Sequence, residues 1–349
     1  MAVRWPSTAV AALGIGASLL LLCVLMASPA SAQAPPPKAV PKVPKGSNLV
    51  VIKPQLGRRN SQFTCTDTKK KRPGCQATCP NRCPKECLVM CPSCMTFCLC
   101  DFYPGASCGD PRFTGGDGNN FYFHGKKGED FCILSDDDLH INAHFIGNHN
   151  PSTSRDFTWI QAVGVLFAHH RLHLGAVHSA HWDSAADHLD LAFDDERVHL
   201  PLADGARWSS ASVPGLSITR TSRANSVVVE LKGVFRIVAN AVPITAEESK
   251  AHGYGVTADD CLAHLDLGFK FHALSDDVHG VLGQTYRSDY VNKLNVAAKM
   301  PVMGGADDYV SSALFATDCA VTRFGRPAAA TVVGTAAGGI AMVTDAKYV

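Results

Sequence analysis

After residue 26 the chain has no apolar run long enough to cross a bilayer. Residues 332–343 are rich in small side chains, too few to span, and followed by Asp345 and Lys347; a lipid-anchor signal needs a greasier tail. There is no Gly-x-Ser-x-Gly elbow, no glycine-rich phosphate loop ending in Lys and Ser/Thr, and no His-Glu-x-x-His. These absences exclude the serine hydrolases, P-loop nucleotide chemistry and zinc hydrolases that depend on such motifs. None of the acidic runs has the twelve-residue spacing of a calcium loop. Cys-x-x-Cys occurs once, at Cys91-Pro92-Ser93-Cys94, where a zinc module usually carries two such pairs. Helix start signals are also scarce. Charged residues make up only 18% of the chain, but 46% is hydrophobic, so it is globular rather than disordered.

What is present begins with a leader. Arg4 precedes an apolar stretch over residues 9–26, and Ala30-Ser31-Ala32 is a small-residue cleavage site, so residues 1–32 are read as a secretory signal peptide. Its removal takes Cys23 and leaves 13 of the 14 cysteines, for which export makes disulfides the default. An odd count leaves one thiol free or paired between chains. Residues 33–62 form a Pro/Lys-rich linker in which proline favours extended polyproline II and spaced lysines repel each other. A solvated spacer is the expectation there.

Residues 63–108 hold ten cysteines: Cys65, Cys75, Cys79, Cys83, Cys87, Cys91, Cys94, Cys98, Cys100 and Cys108. Prolines at 80, 84 and 92 each follow a cysteine and oppose a helix, so a compact, loop-rich disulfide knot is expected. So small a segment cannot stabilise itself by apolar burial alone. Connectivity cannot be read from spacing. The segment is basic: residues 33–108 carry 12 Lys/Arg against Asp67, Glu86 and Asp101, whereas residues 109–349 carry 19 Lys/Arg against 28 acids. The run Lys69, Lys70, Lys71 and Arg72 is a weak candidate for polyanion contact.

From residue 109 to about 325 the pattern is that of short strands and turns, which predicts a mainly β domain of β-sandwich type. Leu139, Ile141, Ala143 and Phe145 alternate with polar residues, as do Leu265, Leu267, Phe269 and Phe271. Residues 159–168 are nearly all apolar, fitting a strand buried on both faces. The one capped helix candidate runs from Thr245 to His252, with Glu248 completing a capping box and Gly253 ending it. Residues 326–349 are a tail.

Two residue types bear on chemistry. Eleven of the 15 histidines lie between His124 and His199, but no compact ligand set is apparent, and surface imidazoles on strands are the expectation. Calcium is the one cofactor considered, with Asp110, Asp117 and Asn119 as weak candidate ligands; the acidic runs are otherwise read as solvated turns. No catalytic residue is assigned.

Cys108-Gly109-Asp110-Pro111-Arg112-Phe113, Asp117-Gly118 and Phe121-Tyr122-Phe123 resemble the opening of a von Willebrand factor type D domain. Asp277 to Gln284 resembles the closing motif of that domain. The whole pattern, through Gly283-Gln284-Thr285-Tyr286-Arg287-Ser288-Asp289-Tyr290, is similar to the plant root-cap family, also labelled late-embryogenesis-related. The resemblance implies a secreted plant protein with a type-D-like β domain and no established activity. It also implies that Arg112 stands where type D domains carry His, and Leu282 where they carry a cysteine. Cys108 then lacks its family partner and is open to pairing with the knot. Of Cys132, Cys261 and Cys319, at least one has no partner within the β domain, and Cys132 is expected to pair with Cys261 or Cys319.

The expected function is therefore that of a secreted, non-enzymatic structural or interaction protein of the cell wall or mucilage. Its expected partners are acidic wall polysaccharide or other extracellular proteins, with self-association through opposite charges; nucleic acid and, after signal cleavage, membrane are not among them. The alternatives are a His/Cys-rich metal-binding stress or storage protein and a wall polysaccharide hydrolase.

Overall fold

A computed structural model describes residues 47–325 apart from 54, 56–57, 68–71, 81–82, 84–85 and 150–154. The segment expected to be a signal peptide, most of the expected linker, Lys69 to Lys71 and the expected tail lie outside the described residues, as does the Arg72 side chain.

The cysteine-rich part folds as strands rather than loops: β1 (Asn48–Ile52), β2 (Gln62–Asp67), β3 (Arg72–Thr78), β4 (Cys87–Cys91) and β5 (Met95–Cys98). β2 and β3 form a hairpin, and β1, β4 and β5 form an antiparallel three-stranded sheet. Residues 48–52, which composition assigns to the linker, thus pair as β1 with β4. Disulfides Cys65–Cys91, Cys75–Cys94, Cys79–Cys87 and Cys83–Cys98 join the two layers around a small core that includes Ile52, Ala77 and Val89. A single helical turn, α1 (Leu99–Phe102), leads to β6 (Ala106–Cys108), and Cys100–Cys108 closes that connection.

The remaining chain is mainly β. β7 (Arg112–Thr114) and β8 (Asn120–Tyr122) are short. A meander follows: β9 (Asp130–Ser135), β10 (Leu139–Asn148), β11 (Phe157–Phe167), β12 (His170–Ala176), β13 (Leu189–Phe193) and β14 (Glu196–Arg197). A second meander is formed by β15 (Arg207–Ser209), β16 (Leu216–Arg220), β17 (Ser226–Leu231), β18 (Phe235–Val242) and β19 (His264–Phe271), with α2 (Ala246–His252) before β19. After β19 come α3 (Ala306–Tyr309) and β20 (Val310–Ser311). The first meander gains β20 beside β9, making seven strands; the second gains β6, β7 and β8 beside β19, making eight. β6, rich in the composition of the knot, therefore belongs to the sandwich, because its backbone partners are in β19.

The inner faces of both sheets share one core. Phe131 packs edge-to-face on Phe123 and on Phe145, with ring centroids 5.2 Å apart in each pair. β11 is buried along nearly its whole length, as its nearly continuous apolar run predicts, with Gln161 the one half-buried position. α2 carries the predicted capping box, and Gly253 ends it at φ +70°.

Candidate functional site

Beyond β19 the chain leaves the sheet and runs across one edge of the sandwich. The closing motif docks there by its apolar residues: Val278, Val281 and Leu282 are fully buried. Backbone bonds hold it, from Val281 N–H to the Cys132 carbonyl and from Leu282 N–H to the Ile133 carbonyl, each 2.9 Å. Gly280 makes this approach feasible: at φ +103°, a Cβ would stand 2.7 Å from the Ile133 carbonyl oxygen. The opening motif meets the same segment. Asp117 accepts hydrogen bonds from the Asn119 amide side chain at 2.9 Å and from that of Asn292 at 3.0 Å.

The segment encloses a cleft of about 600 Å³ lined by His279, Gln284, Arg287, Tyr290, Lys293 and Tyr309 among others. Gln284 Nε2 donates to the Tyr309 hydroxyl at 2.8 Å, fixing one wall. Arg287 is held by a two-point contact with Asp289 at 2.8 and 2.7 Å. Lys293 is exposed. His279 is half-buried and accepts the Gly280 N–H on Nδ1 at 3.1 Å, which leaves the proton of the neutral ring on Nε2. Burial, then the positive charges of Arg323 and Arg287, hold its imidazole below the usual range. The Asp277 and Asp308 carboxylates act in the other direction, and Arg287 and Arg323 are themselves ion-paired, with Asp289 and Asp277. The cleft therefore presents cationic, carboxylate and tyrosine hydroxyl groups together.

The calcium candidates do not converge on one another. Asp110 is ion-paired with Arg155 at 3.1 Å and faces His124 Nδ1 at 3.3 Å. Burial alone pushes its carboxyl up, but the His124 hydrogen bond and the His124 and Arg155 charges outweigh it and hold the group below the carboxylate range. Asp117 and Asn119 instead bond each other in a turn. The expectation of surface imidazoles also fails at several positions: His124, His140, His188 and His264 are all buried. Alternation places His140 and His264 on outward faces of β10 and β19, where Phe324 and Trp159 lie against them, while His124 and His188 sit in connections between strands.

Ten cysteines are paired, and Cys108 joins Cys100. Cys132, Cys261 and Cys319 are buried thiols. Cys132 and Cys319 lie beside His140 in the one grouping of metal-ligating side chains, among the described residues, whose cysteines are not already in disulfides. The Cys319 contact and burial push the Cys132 thiol up, and the same contact lowers Cys319.

A second cavity, about 210 Å³, separates the cysteine-rich part from the eight-stranded sheet, with Glu86, Leu99 and Cys100 facing Val238, Asn240 and Asp266. The Glu86 side chain is 9% exposed and sits 3.5 Å from Arg236, with Oε2 buried and without a hydrogen-bond partner. Burial raises Glu86 despite Arg236, and burial likewise raises Asp266.

His279, Gln284, Arg287 and Tyr290 lie within the motifs that carry the family resemblance, but those motifs do not show that a cleft forms, and no motif points to the Glu86–Asp266 cavity. The clustering of Tyr286, Arg287, Asp289, Tyr290 and Lys293 in a turn-rich stretch was the available signal for the first. Residues 268–324 match the family model described as root cap. That stretch contains the closing motif and every cleft-lining position. A search of curated proteins finds no match.

Proposed function

We propose that the protein is a secreted, non-enzymatic component of the extracellular matrix that binds acidic wall polysaccharide through the cleft of its C-terminal segment. The observation that carries this reading is the pair of cationic groups acting on His279, Arg287 and Arg323, with Lys293, Tyr290 and Tyr309 lining the same cleft. Uronate chains offer carboxylates to the cations and a ring face to Tyr290. Five disulfides within residues 65–108 support an oxidising, extracellular setting.

Retention of the full chain on de-esterified pectin tests the reading. Binding should weaken steeply with salt and fall at least about tenfold in Lys293→Glu. Equal retention of the variant and the wild type would remove the cleft from the interaction. A wall hydrolase is the second reading, favoured by one feature: two burial-raised carboxyls, Glu86 and Asp266, line a single cavity. It requires release of reducing ends from wall polysaccharide that is lost in Glu86→Gln.

A further inference from the structure

We propose that Cys132 and Cys319 close into a sixth disulfide, which fastens the end of the C-terminal segment to β9. The sequence leaves both Cys261 and Cys319 as partners for Cys132. The fold brings only Cys319 to it: the sulfurs of Cys132 and Cys319 lie within 4.8 Å of one another, and both residues are at most 2% exposed. Cys261 is held elsewhere, its N–H on the Ser179 carbonyl and its carbonyl accepting the Ile244 N–H.

The competing use of the pair is a metal site with His140 as third ligand. The hydrogen bonds around His140 oppose it. Ser135 Oγ accepts the N–H groups of Arg323 and Phe324 at 2.8 and 3.3 Å, and its own proton goes to His140 Nδ1 at 2.8 Å in preference to Thr322 Oγ1, which lies farther away at 3.4 Å. Asn142 Nδ2 faces four oxygen acceptors, on Ser311, Ala313, Leu314 and Ala316. The amide orientation is therefore set, and Asn142 Oδ1 must be the atom facing His140 Nε2 at 2.9 Å. Nε2 consequently carries the ring proton and donates it. The nitrogen nearest Cys132 Sγ, 4.0 Å away, has no lone pair to give a metal. Both imidazole nitrogens are satisfied without an ion, and the two sulfurs are left to each other.

The chemistry is a thiol–disulfide exchange with an external disulfide, for which oxidised glutathione serves as the probe. The Cys319 thiolate attacks one glutathione sulfur and expels the other as glutathione thiolate. The Cys132 thiol then loses its proton to solvent, and its thiolate attacks the Cys319 sulfur of the mixed disulfide, expelling the second glutathione. Cys132 and Cys319 are oxidised by two electrons, and the external disulfide is reduced to two thiols. Because both sulfurs are buried, exchange occurs before the segment docks or when it opens. Once docked, the bond is shielded from reductants. With the leader removed, this pairing accounts for twelve of the 13 mature cysteines and leaves Cys261 as the single thiol.

The test is to alkylate the full-length secreted protein under denaturing, non-reducing conditions and map its tryptic peptides. The expected result is peptide 128–155 linked to peptide 300–323, with Cys261 alkylated in peptide 251–270. Refolding the reduced chain with oxidised glutathione should regenerate the same link. Recovery of Cys132 and Cys319 both alkylated would overturn the proposal, as would a link from Cys132 to Cys261. Stoichiometric zinc or copper, with the two thiols reactive only after chelation, would replace it with the metal site. The mapping uses the wild-type chain, so it does not depend on any variant folding, and its outcome is independent of polysaccharide binding.

Discussion

The Thr285 hydroxyl accepts the Gly116 N–H at 2.8 Å and donates to the Leu282 carbonyl at 2.6 Å, joining two motifs 169 residues apart. Thr285 is 3% exposed, so water does not reach its hydroxyl, and Gly116 is half-buried. Thr285→Val keeps the shape but strands a backbone donor. The expected loss is about 1–3 kcal/mol, read from urea unfolding, whereas Thr285→Ser should stay within about 1 kcal/mol of wild type.

Gly280→Ala is expected to be more damaging. Its Cβ would meet the Ile133 carbonyl oxygen at 2.7 Å and the Leu134 Cα at 2.8 Å, in a backbone conformation that L residues rarely adopt. Relief would disturb the bonds that dock Val281 and Leu282 on β9. A loss of roughly 3 kcal/mol or more is expected. Gly304→Ala is the control: no atom lies within 4 Å of its added Cβ, and its midpoint should move by less than about 0.5 kcal/mol.

His140 makes stability fall in mild acid. Burial lowers its folded pKa to about 4, below the ordinary value of 6.5. The unfolded chain therefore binds the proton more readily, and stability is lost as pH falls from 6.5 toward 4. The span corresponds to roughly 3 kcal/mol, most of it gone by the lower limit. Urea midpoints at a series of pH values check this. His140→Gln should be less stable at neutral pH and show a flatter profile across that window.

The cleft gives a pH signature of the opposite sign. His279 is held below the usual imidazole range, so it gains charge only in acid and then adds to Arg287 and Lys293. Retention on de-esterified pectin should strengthen as pH falls below the ordinary imidazole range and decline again below about 4, where uronates protonate. His279→Ala should remove the acid-side gain and leave neutral-pH retention within about twofold. An unchanged rise in the variant would assign it to other groups.

Reduction of the cysteine-rich part should be severe. Ten of its cysteines are in disulfides around a core of few apolar side chains, so Cys79→Ser with Cys87→Ser is expected to cost about 2–5 kcal/mol. Loss of protection in residues 62–98, measured by hydrogen exchange, would localise the effect.

By itself the sequence determined what depends on neighbours along the chain. Strand alternation marked β10 and β19, the apolar run marked β11, and Thr245, Glu248 and Gly253 delimited α2, since period, capping and turn chemistry act within a few residues. Cysteine density marked the disulfide-rich part, but not which sulfurs meet. Only tertiary structure decided that Cys108 joins Cys100, that β6 is a sandwich strand, and that His140 lies beneath residues 311–324 instead of facing solvent. The same holds for the cleft: Arg287 stood in the family-like motif and Lys293 among turn residues, with nothing to show that they would line one cavity. The pairing of β6 with β19 and the cover over His140 rest on hydrogen bonds and burial between segments more than a hundred residues apart, whereas the Cys100–Cys108 bridge and the cleft join residues nearer along the chain. Local pattern carries no record of which distant segment will cover an outward face. The pairing of Gly116 with Thr285 is of that kind: each residue is intelligible as turn chemistry, and their meeting is a property of the closed sandwich.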